Sequence, residues 1–288
     1  MTDQLPGLDD AQMLKWMELI ERRTGVTIPP ERKSFMAVGL RACMRETEAA
    51  DYDGYYRLLT TGHRWSREWA MLMDRITVHE TSFFRHAPSL ELLTGDILPG
   101  FLARNSESGR CFHAWSLGCS TGEEPYSLAM VIDGYMQRYS DQTMFGITAT
   151  DISQPSLDIG RKGVYGGRRL SGVPEELRER YFRRVGDDAY QVVDRLRRRV
   201  CFSRVNVVQL EQLPLRDLDL IYCQNMLIYF SRGRRLDLLR DIAKRLAPGG
   251  VLVLGPGDMP SWSHPEFERI RFEGTLAYRR LSGAVGNA

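Results

Sequence analysis

No apolar run in this 288-residue chain approaches the roughly 18 residues that a membrane-crossing helix needs, so no membrane insertion is expected. The first twenty residues carry acids and no long apolar core, so no secretory signal is expected there. Cysteine is scarce: five residues, at 43, 111, 119, 201 and 223, with no metal-ligand spacing among them. An odd number without a framework fits reduced thiols in a cytoplasm, not a disulfide scaffold, and no metal site is expected. An excess of one charge is missing as well. The formal net charge is +2, so no global field draws the chain toward nucleic acid or a membrane surface. No Ser-His-Asp or Cys-His arrangement is visible to supply a nucleophile or general base. What is present is a 43% hydrophobic, 26% charged chain, enough for the core of one large or two modest domains. Twelve Met and five Trp read as core filling.

The most informative stretch is Phe112 to Leu128, FHAWSLGCSTGEEPYSL. An apolar run ends at Leu117, breaks at Gly118, turns through Cys119, Ser120, Thr121 and Gly122, and enters a helical pattern. Strand, small-residue turn, helix is a place where backbone can approach a nucleotide-like ligand. The turn lacks GxGxxG and GxxxxGK[ST], and it offers no Lys for phosphates. Glu123 and Glu124 follow at once, which suits a ligand with a positive end, such as S-adenosylmethionine. An ordinary βα turn is the plainer alternative. A second apolar run, 143–152, ends in Asp151, where nucleoside-binding α/β folds place an acid on the ribose hydroxyls. A helix from Glu123 to about Arg138 is predicted between them. Leu218 to Phe230 begins as a buried parallel strand, and Asn225 and Tyr229 follow it toward the ligand crevice.

Four segments together, TSFFR (81–85), STGEEPYS (120–127), ATDIS (149–153) and CQNMLIYF (223–230), resemble the CheR-type chemotaxis-receptor glutamate methyltransferases. The resemblance runs from about residue 10 to about residue 280. It implies an α/β fold: a Rossmann-like class I S-adenosylmethionine-dependent methyltransferase domain with an inserted small β-subdomain, preceded by a small all-helical domain. The expected division is 1–75 helical, 76–90 linker or lid, and 91–282 methyltransferase, with the insertion at about 163–204. The resemblance also implies a monomeric cytoplasmic enzyme whose partners are the cytoplasmic helical domains of methyl-accepting chemoreceptors. It assigns catalytic roles to Arg85 and Tyr229. His79, Thr81, Arg85, Leu117, Glu123, Asp151, Asn206, Val207, Asn225 and Met226 would contact the cofactor or its product, S-adenosylhomocysteine. Family members often carry Asn where this chain has His79.

The helical domain is predicted as four helices, over 11–23, from Glu31 to about Met44, 52–60 and 65–76. Arg32, Lys33, Arg41 and Arg45 fall on one stretch; pattern alone makes them a solvated face, and the resemblance gives them acidic receptor helices to meet. In the linker, the adjacent Phe83 and Phe84 suggest a lid with buried rings and Arg85 projecting into the crevice; a hydrophobic staple into a helix over 88–103 is the alternative. Beyond Asp151 a short helix is predicted over 154–162, a Gly- and Arg-rich turn over 163–170, a helix over 174–182, a compact hairpin around Gly186-Asp187-Asp188, and strands over 190–193 and 199–207. Residues 161–204 hold thirteen Lys/Arg and six Asp/Glu, a net +7. Without a stacking motif this basic region reads as a face for an acidic protein partner rather than for nucleic acid. A helix over 231–246 with Ser231 as N-cap, a stop at Pro248-Gly249-Gly250, a strand over 251–254 and a hairpin about Glu273-Gly274 complete the pattern.

Glutamate methylation suits so sparse a site. A surface glutamate with a pKa near 4.3 is already an anionic nucleophile at neutral pH. Alignment alone can lower a barrier by roughly 7–11 kcal/mol. Arg85 would hold the carboxylate as a fork, Tyr229 would shape the methyl pocket, and Glu123 would either meet the cationic end of the cofactor or hold the loop. Two other readings are a nucleic-acid methyltransferase, disfavoured because CQNMLIYF stands where an acidic-Pro-Pro-aromatic loop would lie, and a noncatalytic cofactor-binding signalling module.

Overall fold

The computed structural model describes residues 7–61, 65–77, 80–105, 109–140 and 143–282. Its first part is a helical unit: α1 (Asp10–Thr24), α2 (Lys33–Glu46), α3 (Tyr52–Thr61) and α4 (Trp65–Ile76). The start of α1 is set by Asp9, whose side chain accepts from the Gln12 amide at 2.7 Å in a capping box. Gly25, with φ 75°, ends it in the left-handed conformation that a side chain would resist. Trp16, Ile20, Met36, Leu40, Tyr55 and Leu72 face inward at helical spacing and are essentially inaccessible to solvent. They form a core of their own around which the four helices close.

The linker leads to α5 (Ala87–Leu92), which runs through a π-turn at Leu93–Ile97 into α6 (Leu98–Asn105). The remaining helices are α7 (Glu123–Tyr139), α8 (Gln154–Lys162), α9 (Glu175–Tyr181), α10 (Asp194–Arg197) and α11 (Arg232–Ala243). The strands are β1 (Phe112–Leu117), β2 (Phe145–Asp151), β3 (Val164–Gly166), β4 (Phe182–Gly186), β5 (Ala189–Val192), β6 (Val200–Arg204), β7 (Leu218–Cys223), β8 (Leu246–Leu254), β9 (Phe267–Ile270) and β10 (Leu276–Arg280).

Seven strands make one sheet in the order β6-β2-β1-β7-β8-β10-β9. Its first five strands are mutually parallel; β10 runs antiparallel to β8, and β9 antiparallel to β10. Every residue of β7 is buried, as expected of a parallel strand covered on both faces. From β1 the chain moves outward to β2 and β6, then returns to β7 on the other side. The topological switch point, where such sheets bind ligands at the carboxyl ends of strands, therefore lies between β1 and β7. The architecture is the Rossmann-like methyltransferase fold expected from the sequence, with an added three-stranded antiparallel sheet, β3-β5-β4.

Several local expectations are corrected. The segment 199–207 supplies β6, which joins the main sheet rather than the insertion. The predicted turn at 163–170 begins with β3, while the hairpin expected around Gly186-Asp187-Asp188 is present as β4 and β5. The last long helix stops at Ala243, and Pro248-Gly249-Gly250 lies inside β8 as an irregularity: Leu218 pairs with Leu246, and pairing resumes at Leu220 with Val251. Gly249 takes φ 78° there. Ser231 occupies the N-cap position of α11 without a side-chain cap hydrogen bond. The β9–β10 connection spans residues 271–275 instead of two, with Gly274 at φ 70°.

Candidate active site

A cavity of about 330 Å³ opens at the switch point. Leu117 and Gly118 after β1, Asp151 at the end of β2, Asn206 and Val207 after β6, and Asn225 and Met226 after β7 all line it. Thr81 and Arg85 from the linker and Tyr229 from the turn beyond β7 complete the wall. Nine of the residues singled out from the sequence thus meet in one place. His79 lies outside the described residues.

The loops that form this cavity are held in unusual backbone conformations. Among the described residues five non-glycine positions have positive φ, and three of them, Phe84 (53°), Ser120 (48°) and Asn225 (57°), line the cavity. Such strain persists only where surrounding contacts over-determine it, and it concentrates at ligand sites. Those contacts are present. The Phe84 amide donates to Ser127 Oγ at 3.0 Å. The Ser120 amide donates to Asp151 Oδ2 at 2.8 Å, and the Ser153 amide to Asp151 Oδ1 at 2.9 Å, so the acid at the strand tip is fixed in orientation. The Asn225 amide donates to Asp258 Oδ2 at 3.0 Å.

Asp258 carries no sequence signal beyond an acid in the loop after a buried strand, yet it organises the far wall. Its carboxylate is almost wholly buried and also accepts from the Gly255 and Ile228 amides, at 2.8 and 3.2 Å. Burial pushes its pKa up, against the pull of these backbone hydrogen bonds. Arg235 closes the same loop from α11, donating to the carbonyls of Phe230, Ile228 and Asp258.

The two carboxylates at the start of α7 divide differently from expectation. Glu123 is not part of the cavity wall. It is 1% exposed and ion-paired to Arg169 at 2.6 Å, an arrangement that can hold the loop. The cavity-facing acid is Glu124, which accepts from Ser116 Oγ at 2.6 Å. Burial raises its pKa to about 8, opposed by the Ser116 hydrogen bond and by the charge of Arg85. Adjacent helical positions point about 100° apart, so only one of the pair can face the ligand space.

The helical unit covers the cavity. Thr24, Val26, Arg32, Ile76 and Thr77 contribute to the lining. The backbone amide and hydroxyl of Thr27 both donate to the Tyr229 carbonyl, at 2.9 and 3.1 Å, and Val26 bridges Phe230. Asn206 donates through Nδ2 to the Arg23 carbonyl at 2.8 Å. The Arg32 guanidinium lies 5.4 Å from the centroid of the Tyr229 ring, a cation–π distance. In the linker, Phe83 is buried while Arg85 is exposed at the cavity and donates to the Glu80 carbonyl at 2.8 Å.

The donor set suits a nucleoside with a cationic end. Asp151 can accept from ribose hydroxyls, Leu117, Val207 and Met226 offer apolar surface, and Glu124 can supply a negative pole once a cationic ligand draws off its proton. Among the described residues that line the cavity there is no lysine to cradle a phosphate. Fold and site together define an S-adenosylmethionine-dependent methyltransferase. The family model "CheR methyltransferase, SAM binding domain" matches residues 79–273, and "CheR methyltransferase, all-alpha domain" matches residues 11–77. The chain belongs to the CheR methyltransferase family. It is 28% identical to chemotaxis protein methyltransferase 2 of Vibrio cholerae, over 94% of this chain and 93% of the relative. It is 30% identical to chemotaxis protein methyltransferase 1 of Pseudomonas aeruginosa, over 90% and 94% respectively. Against chemotaxis protein methyltransferase Cher2 of Pseudomonas putida the identity is 31%, over 72% of this chain and 76% of that one.

Proposed function

We propose that this protein is a protein-glutamate O-methyltransferase that esterifies glutamate side chains on the cytoplasmic helical domains of chemoreceptors. S-adenosylmethionine supplies the activated methyl group. The chain's own task is then orientation. Asp151, held by two backbone amides, receives the ribose hydroxyls, and Glu124 receives the positively charged methionine end. The acceptor carboxylate needs no general base because it is ionised at neutral pH. Arg85 pairs with it as a planar fork, and Tyr229, its carbonyl tied to Thr27, shapes the methyl pocket. Thr81 and Asn225 complete the contacts.

The observation that carries this reading is the placement of Arg85: an exposed guanidinium on the wall of a cavity whose inner end is built for a cationic nucleoside. An anionic acceptor is the substrate class that such an entrance selects. Arg32, stacked over Tyr229, continues the positive rim onto the helical unit, which fits receptor helices rich in acids. The test is mass-spectrometric mapping of receptor cytoplasmic fragments after incubation with the enzyme and S-adenosylmethionine. Methyl groups on glutamate side chains are expected. Methylation confined to lysine, arginine or nucleic acid, or no methylation at all, overturns the reading.

A further inference from the structure

We propose that Arg169 is a positioning residue for the methyl-donor site, acting from the small sheet through Glu123 and Thr121; the proposal rests on the cavity being the S-adenosylmethionine site. Arg169 lies in the short helical turn, Gly167–Leu170, that follows β3. Its Nη1 donates to Glu123 Oε1 at 2.6 Å and to Thr121 Oγ1 at 2.9 Å. Thr121 Oγ1 in turn donates to Glu123 Oε2 at 2.6 Å, which closes a three-sided network. The partners are unequal in burial: the Glu123 side chain is 1% exposed and that of Arg169 48%. A carboxylate so deeply placed is costly unless it is paired and hydrogen-bonded, and Arg169 is the cation that pairs with it.

The network bears directly on the cofactor turn. Thr121 and Gly122 separate the cavity-lining Ser120 from the first residue of α7, and Gly122 takes φ 97°. The small sheet holds this turn at a second point, where Tyr165 Oη in β3 donates to the Thr121 carbonyl at 2.8 Å. The fit at Gly122 is close: a Cβ there would stand 2.9 Å from Tyr165 Oη and from Gly160 Cα. The same sheet grips the linker that carries Arg85. The Phe83 ring meets Tyr165 and Phe182 edge-on, with centroids 5.0 and 5.5 Å away. Two walls of the donor site therefore rest on one small sheet, and Arg169 is the charged tie. Its loss leaves Glu123 buried without a cation, and the turn must move to bring that carboxylate to water or a proton.

A double-mutant cycle read by calorimetric titration with S-adenosylhomocysteine tests this. Arg169→Gln is expected to weaken binding about tenfold, and to raise the KM for the methyl donor with little change in kcat. Glu123→Gln keeps the shape and removes the charge that needs Arg169, so the same Arg169→Gln change on that background is expected to cost less than about twofold. Arg169→Lys is expected to fall between wild type and Arg169→Gln, since it keeps the charge and loses the fork. Wild-type affinity in Arg169→Gln, or equal losses on both backgrounds, overturns the proposal. Should Arg169→Gln alone fail to fold, a double variant that folds and binds supports the tie, and one that does not bind overturns it. Failure of the wild-type protein to bind S-adenosylhomocysteine would instead sink the reading of the cavity itself.

Discussion

Glu124 and Asp258 show how much of this site is decided by single carboxylates in low-dielectric surroundings. With a pKa near 8, the Glu124 side chain is mostly protonated in the free protein at neutral pH. A cationic ligand favours the ionised form, so binding there releases a proton. The sign follows: affinity for S-adenosylhomocysteine should rise as pH increases from 6 toward 9 and level off above the Glu124 pKa. Calorimetry in buffers of different ionisation enthalpy should show the proton release, and Glu124→Gln should abolish both. A flat pH profile in the wild type would remove Glu124 from the cationic end. For Asp258, three backbone donors lose their acceptor if the carboxylate is deleted. Each buried unpaired donor costs about 1–3 kcal/mol. Asp258→Ala should lower unfolding free energy by about 3 kcal/mol or more in denaturant titration and weaken cofactor binding as well, because the Asn225 loop relaxes.

Elements differ in how plainly their sequences announce them. β1, β2 and β7 were legible because each is a short apolar run ending in turn residues, and their tips led directly to Asp151 and Asn225. The antiparallel pair at the end of the chain was legible for the same reason, apart from its turn. β4 was legible only through the hairpin turn Gly186-Asp187-Asp188 that follows it: FRRVG has four exposed residues, two of them arginine, and nothing apolar alternates along it. Only pairing with β5 makes it a strand. The choice between Glu123 and Glu124 was equally hidden, since it depends on Arg169 arriving from 46 residues away in sequence. The stop expected at Pro248-Gly249-Gly250 was a sound reading of local chemistry that tertiary pairing overrode, because β7 takes the segment up as an irregular strand. At the turn between β1 and α7 the demand on conformation is strict. Gly122→Ala combines φ 97° with a Cβ 2.9 Å from backbone, and should destabilise by at least about 2 kcal/mol in thermal or denaturant unfolding. A loss below half that value would mean the turn adapts.

The whole molecule places a helical unit over the carboxyl ends of a parallel sheet, so the two cores share one cavity wall. Thr27, Asn206 and Arg32 make the seam. Among the described residues no helix is long and apolar enough to cross a membrane. The all-helical first part was readable from four successive helical patterns up to Ile76, and the structure forms four helices there. The seam was not readable: Thr27 and Asn206 bond backbone carbonyls that carry no side-chain signature, and Ser153 donates to Asp74 from 79 residues away in sequence. The proposed function at this scale is the meeting of an anionic acceptor with a positive entrance. The most direct measurement incubates the protein with methyl-labelled S-adenosylmethionine and cytoplasmic chemoreceptor fragments, then treats the product with mild base, comparing wild type with Arg85→Ala. Carboxyl methyl esters release labelled methanol, so the wild type should yield volatile label, and Arg85→Ala should bind cofactor yet yield at most a small fraction of it. Label that resists base, or near-normal release from Arg85→Ala, would contradict the assignment of a glutamate acceptor held by Arg85.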